Sequence, residues 1–323
     1  MHKKYINISE TIIKKALYES IHCLLNEDMG RVLIIYHSAD WDGYTCGAVA
    51  LLANPNADLL GWNYNDPLPY VNQYDKVILL DLTISQRGDY SWMEENANKL
   101  IWIDHHANAI NDNPHLQNIK GIREDGIGAC VLTWQYFFDD NIPPHVSLCA
   151  TYDVFRKDGK YADWEDAWAY QLALAKIVNI PRGNNNASEM GVKAAMQFIQ
   201  ESPQKTIERI EQGKSLEGER AEYEKELFKQ AKFVKRGNIT ICKLLSGNGT
   251  PAHNIKTNSD NHTADVFILR GQKPIADGVH YKVAIRVPEK SNVDASEIAR
   301  KYGGNGHIKA AGCIMTLDEF NAL

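Results

Sequence analysis

No stretch of this sequence is apolar for long enough to cross a membrane. The longest runs, such as 32–36 and 77–80, fall far short of the ~20 residues a spanning helix needs. Cysteine is sparse and never paired. Six thiols (Cys23, Cys46, Cys130, Cys149, Cys242, Cys313) are scattered singly with no CxxC, which excludes a zinc knuckle or disulfide framework and predicts reduced, buried thiols. The opening MHKKYINISETIIKK has lysines but no apolar stretch behind them, so no signal peptide is read and a cytoplasmic protein is expected. Internal repeats and low-complexity tracts are lacking too. Basic charge is scarce: the net charge is −6, with 24 Lys/Arg against 33 Asp/Glu over 1–235 and 11 against 8 over 236–323. Neither part could hold a long nucleic-acid duplex by charge alone.

What remains is a chain of 323 residues, 44% hydrophobic and 24% charged, about two domains' worth of ordinary globular composition. Strand-like runs at 32–36, 76–80 and 99–103 alternate with helix-like stretches near 44–53 and 92–98. Alternation of that kind predicts an α/β fold with a doubly wound parallel sheet. Helical spacing recurs over 128–138 and 164–178. Ser202-Pro203 then supplies an N-cap and a first-turn proline. The Lys/Glu/Gln-rich stretch 204–235 reads as an exposed connecting helix, broken at Gly213 or Gly218. Strand signals at 238–245, 264–269, 281–287 and 312–317, with a helix over 295–302, predict a smaller α+β domain. The expected division is 1–200, a connector over 201–236, and 237–323.

Chemistry concentrates at the strand ends. The first run ends YHSADWDG, giving His37, Asp40 and Asp42; the second ends VILLDLT, giving Asp81; the third ends IWIDHH, giving Asp104, His105 and His106. In an open α/β sheet ligands bind where the carboxyl ends of the strands converge. A lone strand-end Asp is more often a helix cap, and a lone His-His pair carries nothing. Repetition over consecutive strand ends is different, because so many carboxylates repel unless cations lie among them. Mixed carboxylate and imidazole donors suit Mn²⁺, Mg²⁺, Fe²⁺ or Zn²⁺ rather than Ca²⁺, and paired metals are apparatus for phosphoester hydrolysis.

These motifs resemble the DHH phosphoesterase family, whose name-giving triplet Asp104-His105-His106 matches. HSADWDG is similar to the family's first motif, Asp81 to its second, and Asp153 in CATYDVF to its fourth. Asp40 follows His37 by three residues rather than the four of many members, as in the branch with the second type of nanoRNA-degrading enzyme. The end of the chain resembles the DHH-associated substrate domain: Gly303-Gly304-Asn305-Gly306-His307 precedes Ala310-Ala311-Gly312, and Arg286 lies in VAIRVPEK. Asn305 stands where a glycine is usual and is expected to accept left-handed backbone.

The resemblance implies two divalent cations, foremost Mn²⁺, with Mg²⁺, Fe²⁺ or Co²⁺ as substitutes. It implies one site of His37, Asp40 and Asp81, a second of Asp42, Asp81, His105 and Asp153, and Asp81 as the bridge. Asp104 would orient a histidine, while His106 would act on the scissile phosphate or leaving group. Arg286, Gly303, Gly304, Gly306 and His307 would grip substrate. The implied activity is hydrolysis of short oligonucleotides to 5′-mononucleotides in a cleft between the domains, with 3′-phosphoadenosine 5′-phosphate as a further substrate. Rival expectations are a cyclic nucleotide or cyclic dinucleotide phosphodiesterase, an exopolyphosphatase, and a nucleotide-binding regulator with an inactive site. The expected partner is a short single-stranded oligonucleotide or small nucleotide, without a membrane; a homodimer stays open.

Other residues receive blander readings. His2, His22, His115, His145, His262 and His280 read as surface or satisfied histidines, and 182–186 as a polar loop. His253 is divided between loop residue and substrate contact. Trp62, Trp134, Trp164 and Trp168 read as packing. Trp41, lying between two candidate ligands, has packing and a base pocket as alternatives.

Overall fold

The computed structural model describes residues 30–64, 66–85, 89–111, 113–155, 158–178, 185–246, 264–275, 277–288 and 290–323. Packing divides the chain into two compact units, Met1–Leu216 and Glu217–Leu323.

In the first unit β1 (Val32–His37), β2 (Asp58–Trp62), β3 (Lys76–Leu80) and β4 (Leu100–Ile103) form a parallel sheet in the order β2-β1-β3-β4. Its strands are apolar throughout because both faces are covered. Ile34, Tyr36, Ile78, Leu80 and Ile103 enter one buried cluster, and their neighbours Leu33, Ile35, Val77, Leu79 and Trp102 enter another. That alternation is the period of two of a strand, sustained on both sides.

Helix α1 (Trp41–Ala53) lies in the first layer, and α2 (Ser91–Glu95) and α3 (Ala107–Asn111) belong to the region of the second. The first layer thickens with α4 (Ala129–Phe137), α5 (Pro144–Asp153), α6 (Trp164–Ile177), α7 (Asn185–Gln200) and α8 (Pro203–Ser215). From β1 the chain runs through α1 to β2, then returns to lay β3 on the other side of β1. This reversal opens a crevice at the carboxyl ends of β1 and β3, the usual ligand position in a doubly wound sheet.

The fold departs from the sequence reading in several places. β2 lies outside the expected strands, since DLLGW is a short edge strand interrupted by glycine. The segment expected as one connector holds α8 of the first unit, α9 (Glu217–Phe228) and β5 (Lys232–Arg236) of the second. The helical break falls at Leu216. Gly213 stays inside α8, where it lets the helix lie against the Ala169 carbonyl of α6.

The second unit is α+β. Its six-stranded sheet follows the order β5-β6-β7-β8-β10-β9, with β6 (Ile239–Ser246) and β7 (Val266–Gly271) parallel and the other neighbours antiparallel. The remaining strands are β8 (His280–Arg286), β9 (Asn305–Gly306) and β10 (Ala310–Thr316). One face packs on α10 (Ala295–Arg300) and α11 (Leu317–Ala322), the other on α9. Among the described residues no helix is long and apolar enough to cross a membrane. The five described cysteines are free and buried.

Candidate metal centre

The sheet brings the strand-end side chains of β1 and β3 to one place. His37 ends β1; its Nδ1 lies 3.1 Å from Asp40 Oδ2 and 3.4 Å from Asp81 Oδ2. These three residues offer ligand atoms that all lie within 4.8 Å of one another. Asp40 also behaves as an ordinary helix cap, its Oδ1 accepting the Gly43 N–H at 3.0 Å at the start of α1. Its two oxygens therefore serve different ends, and capping does not remove it from the group.

Asp42, His105 and Asp153 form a second cluster within the same span. His105 Nε2 is 3.4 Å from Asp153 Oδ2 and 3.8 Å from Asp42 Oδ2. Asp42 is fixed by the amino end of α4, accepting the N–H groups of Ala129 at 2.8 Å and Cys130 at 3.1 Å. This arrangement exploits the unpaired amides and positive end of a helix. Asp153 comes from the last turn of α5. Asp81 joins the clusters: its other oxygen, Oδ1, lies 3.1 Å from His105 Nε2.

The electrostatics of this grouping are severe. Burial, reinforced by Asp81 and Asp153, pushes the Asp42 carboxyl well above its ordinary range. Burial opposes charge on His105, yet Asp81, Asp153 and Asp42 raise it to about 10. His37 is likewise opposed by burial and raised by Asp40 and Asp81. Burial also works against the Asp81 charge, but the two histidines hold its carboxyl below the usual value.

Does the donor set fit metal ions? His37 Nδ1 and Asp81 Oδ1 are both buried without a hydrogen bond of proper geometry, although each has an opposite group within 3.4 Å. Donor atoms that crowd together without bonding one another directly are aimed at shared points between them. Hard oxygens and imidazole nitrogens are the ligand types of Mn²⁺, Mg²⁺ and Fe²⁺, and cations would replace the protons that now balance the carboxylates.

Asp104 falls outside this donor set. It is buried, and both its oxygens are occupied by hydrogen-bonding groups: Oδ1 by the backbone N–H of His105 and His106 and by His106 Nδ1, Oδ2 by Thr83 and Trp102. Burial opposes its charge, but His106, His105 and Thr83 keep it ionised far below the usual carboxylate range. Proximity alone would group Asp104 with Asp81 and His106; filled acceptors argue for an anchoring role instead. Thr83 and Trp102 are absent from the residues singled out in the sequence, where the only signal is their spacing of two residues from Asp81 and Asp104.

The second unit holds the other candidates. Arg286 ends β8, opposite Phe267 of β7 and Ala310 of β10. A tight turn joins β9 to β10, closed by His307 N–H to the Ala310 carbonyl at 2.7 Å. It docks on the end of β8, Val287 donating to the Lys309 carbonyl at 2.9 Å. The glycines have a structural reason to be there. Gly303 and Gly306 have φ of +69° and +145°, and a Cβ at Gly306 would stand 2.5 Å from Ala311 Cα. A Cβ at Gly304 would meet the Cβ of Cys313 at 2.5 Å. Asn305 is a β9 residue paired with Gly312 of β10.

Among the bland readings, His115 pairs with Glu94 at 2.9 Å and His280 with Asp277 at 2.6 Å. His145 is wholly buried between Thr45 at 3.0 Å and Tyr170 at 2.9 Å. Trp41 packs on Tyr44, His145 and Phe198, and Trp62, Trp134, Trp164 and Trp168 are all buried. His2, His22, Cys23, residues 182–184, His253 and His262 lie outside the described residues. Asn185 and Asn186 open α7 rather than continuing a loop.

Comparison with known proteins agrees with this geometry. Residues 31–133 match the DHH family, N-terminal domain. The chain is 24% identical over 305 residues to oligoribonuclease NrnB of Bacillus subtilis (strain 168), the match covering 87% of this chain and 72% of that one. Among solved structures, the pGpG-specific phosphodiesterase PggH from Vibrio cholerae is 15% identical with a TM-score of 0.43, covering 90% of this chain and 95% of that chain. RecJ from Thermus thermophilus in complex with Mn²⁺ is 16% identical with a TM-score of 0.46, covering 97% of this chain and 53% of that chain. Both structural likenesses are too distant to bear on activity. The strand-end residues from His37 to His106 fall inside the span matched by the DHH family's N-terminal domain.

Proposed function

We propose that this chain is a metal-dependent phosphodiesterase that hydrolyses short oligonucleotides to 5′-mononucleotides. One observation carries the reading: His37/Asp40/Asp81 and Asp42/His105/Asp153 are two donor clusters at one sheet crevice, linked by the two oxygens of Asp81. Two divalent cations, with Mn²⁺ as the working ion, would supply Lewis acidity toward phosphoryl oxygen and a nucleophile at neutral pH.

The chain's own groups do the rest. Asp81 holds both clusters in register. Asp104 fixes the imidazole of His106 through Nδ1, so that Nε2 gives a proton to the departing oxygen. Residues 237–323 act as the substrate domain: Arg286 takes a phosphate by its guanidinium fork, and His307 donates to a second phosphate oxygen. The match to an oligoribonuclease supports this substrate class.

The test is a hydrolysis panel with Mn²⁺: dinucleotides, pentanucleotides, 3′-phosphoadenosine 5′-phosphate, cyclic dinucleotides, cyclic AMP and polyphosphate. Release of 5′-mononucleotides from the shortest oligonucleotides is expected to be fastest. Preference for a cyclic nucleotide or polyphosphate would overturn the substrate assignment. No turnover together with no metal uptake would replace the enzyme by a nucleotide-binding regulator.

A further inference from the structure

The Asp104 carboxylate receives more than His106. Its Oδ2 accepts the Thr83 hydroxyl at 2.8 Å and the Trp102 indole N–H at 3.3 Å, all three side chains being buried. The same indole donates to the Leu82 carbonyl at 3.2 Å. On the other side Oδ1 meets His106 Nδ1 at 2.8 Å and the His105 N–H at 2.8 Å.

We propose that Thr83 and Trp102 are positioning residues that clamp Asp104 and thereby fix the His106 imidazole; the proposal rests on the reading of His106 as the group acting at the leaving oxygen. A carboxylate held on one oxygen alone can rotate about its terminal torsion, which is broad. Two donors on Oδ2 remove that freedom and leave Oδ1 facing His106. Because an ionised carboxylate only accepts, Nδ1 of His106 carries the proton and Nε2 is the nitrogen that exchanges with substrate.

The clamp also sets distance. Thr83 follows Asp81 by two residues, and the turn between them starts from left-handed backbone at Asp81 (φ 60°). Trp102 ties that turn to β4 through Leu82. One short segment thus carries both the carboxylate that links the two donor clusters and the hydroxyl that orients His106, so the two chemistries keep a constant spacing. Orienting partners of this kind typically contribute about 10–100-fold.

The experiment uses the full chain with Thr83→Val, which keeps shape and removes the hydroxyl, and Thr83→Ser, which keeps the hydroxyl. Trp102→Phe is the second, independent variant, and thermal unfolding checks that each folds. With Mn²⁺ and bis-p-nitrophenyl phosphate, Thr83→Val and Trp102→Phe should lose about tenfold or more in kcat, with KM and bound manganese unchanged, while Thr83→Ser keeps the wild-type kcat. In metal-free protein the downfield Nδ1–H proton resonance of His106, assigned by its loss in His106→Gln, should persist in Thr83→Ser and broaden or vanish in Thr83→Val. An unchanged resonance in Thr83→Val overturns the clamp, as does an equal loss in Thr83→Val and Thr83→Ser, or a loss of manganese with kcat. If the wild-type chain hydrolyses no phosphodiester, the phosphodiesterase reading fails, and the resonance alone decides the clamp.

Discussion

His105 meets Asp81 across the ends of adjacent strands, Nε2 to Oδ1 at 3.1 Å. Asp81 turns its second oxygen to His37, so its carboxylate reaches from one donor cluster to a histidine of the other. Its backbone is left-handed, a conformation that Asp and Asn tolerate and Ala resists. Asp81→Asn is therefore the cleaner variant, removing charge without adding strain. It should fold, lose bound manganese from both sites, and lose about three orders of magnitude in turnover, as expected when a shared ligand is removed. Metal analysis and rate together check this; a variant retaining more than about a tenth of the rate would refute the shared role.

The adjacent histidines should separate by function. His105 lies among Asp42, Asp81 and Asp153, whereas His106 is held at Nδ1 by Asp104. His105→Ala should lose manganese and activity together. His106→Ala should keep its manganese and lose turnover about 100-fold or more, the usual scale for a positioned proton donor. Equal metal loss in both would leave no basis for the division.

Much of the catalytic unit is legible because its signals are local. Three of the four strands of the first sheet are apolar runs bounded by polar residues, and each end that carries aspartate or histidine follows directly from where its run stops. β2 is hidden since a five-residue edge strand with a glycine has no period to detect. Helix α7 escapes for another reason: Val192, Ala195, Phe198 and Ile199 are buried at helical spacing, but asparagines at its start read as a turn. What no local pattern can supply is the capture of Asp42 by the amino end of α4, or the meeting of Thr83, Trp102 and Asp104. Those depend on strand order. In the second unit, the glycines expected to grip substrate also make room for β9 against β10.

His145 predicts a pH-dependent stability. Burial, aided by the positive charge of Arg209, lowers its pKa from 6.5 to about 3. Below pH 6.5 the unfolded chain takes up a proton that the folded chain refuses, so stability falls as the pH drops, by up to about 1.4 kcal/mol per unit for one group. His37 and His105, raised on folding, and Asp42, raised by burial, act in the opposite direction, because the folded chain holds protons that the unfolded chain binds less tightly, and they offset part of this decline. Denaturation of the metal-free wild-type and His145→Gln chains between about pH 6.5 and 5 isolates the His145 share: the wild-type chain should lose stability relative to the variant as the pH falls. An equal slope in both proteins would assign the effect to other groups.

Substrate grip and chemistry should come apart in the second unit. Arg286 and the His307 turn sit side by side, since Val287 bonds Lys309 and Arg286 pairs with Ala310. A guanidinium and an imidazole so placed can take adjacent phosphate oxygens, and binding of a remote phosphate lowers KM without touching the reacting bond. Arg286→Ala and His307→Ala should each raise KM for a trinucleotide by about tenfold, the value of one charge-assisted phosphate contact. Hydrolysis of bis-p-nitrophenyl phosphate, which has no second phosphate to hold, should change little. The +3 charge of residues 236–323 is too small to track a long strand, so a long single strand should be cleaved more slowly than a trinucleotide. Equal loss on both substrates would make the turn a support for the fold rather than a grip. A long strand degraded as fast as a trinucleotide would require a binding track that this basic surface does not provide.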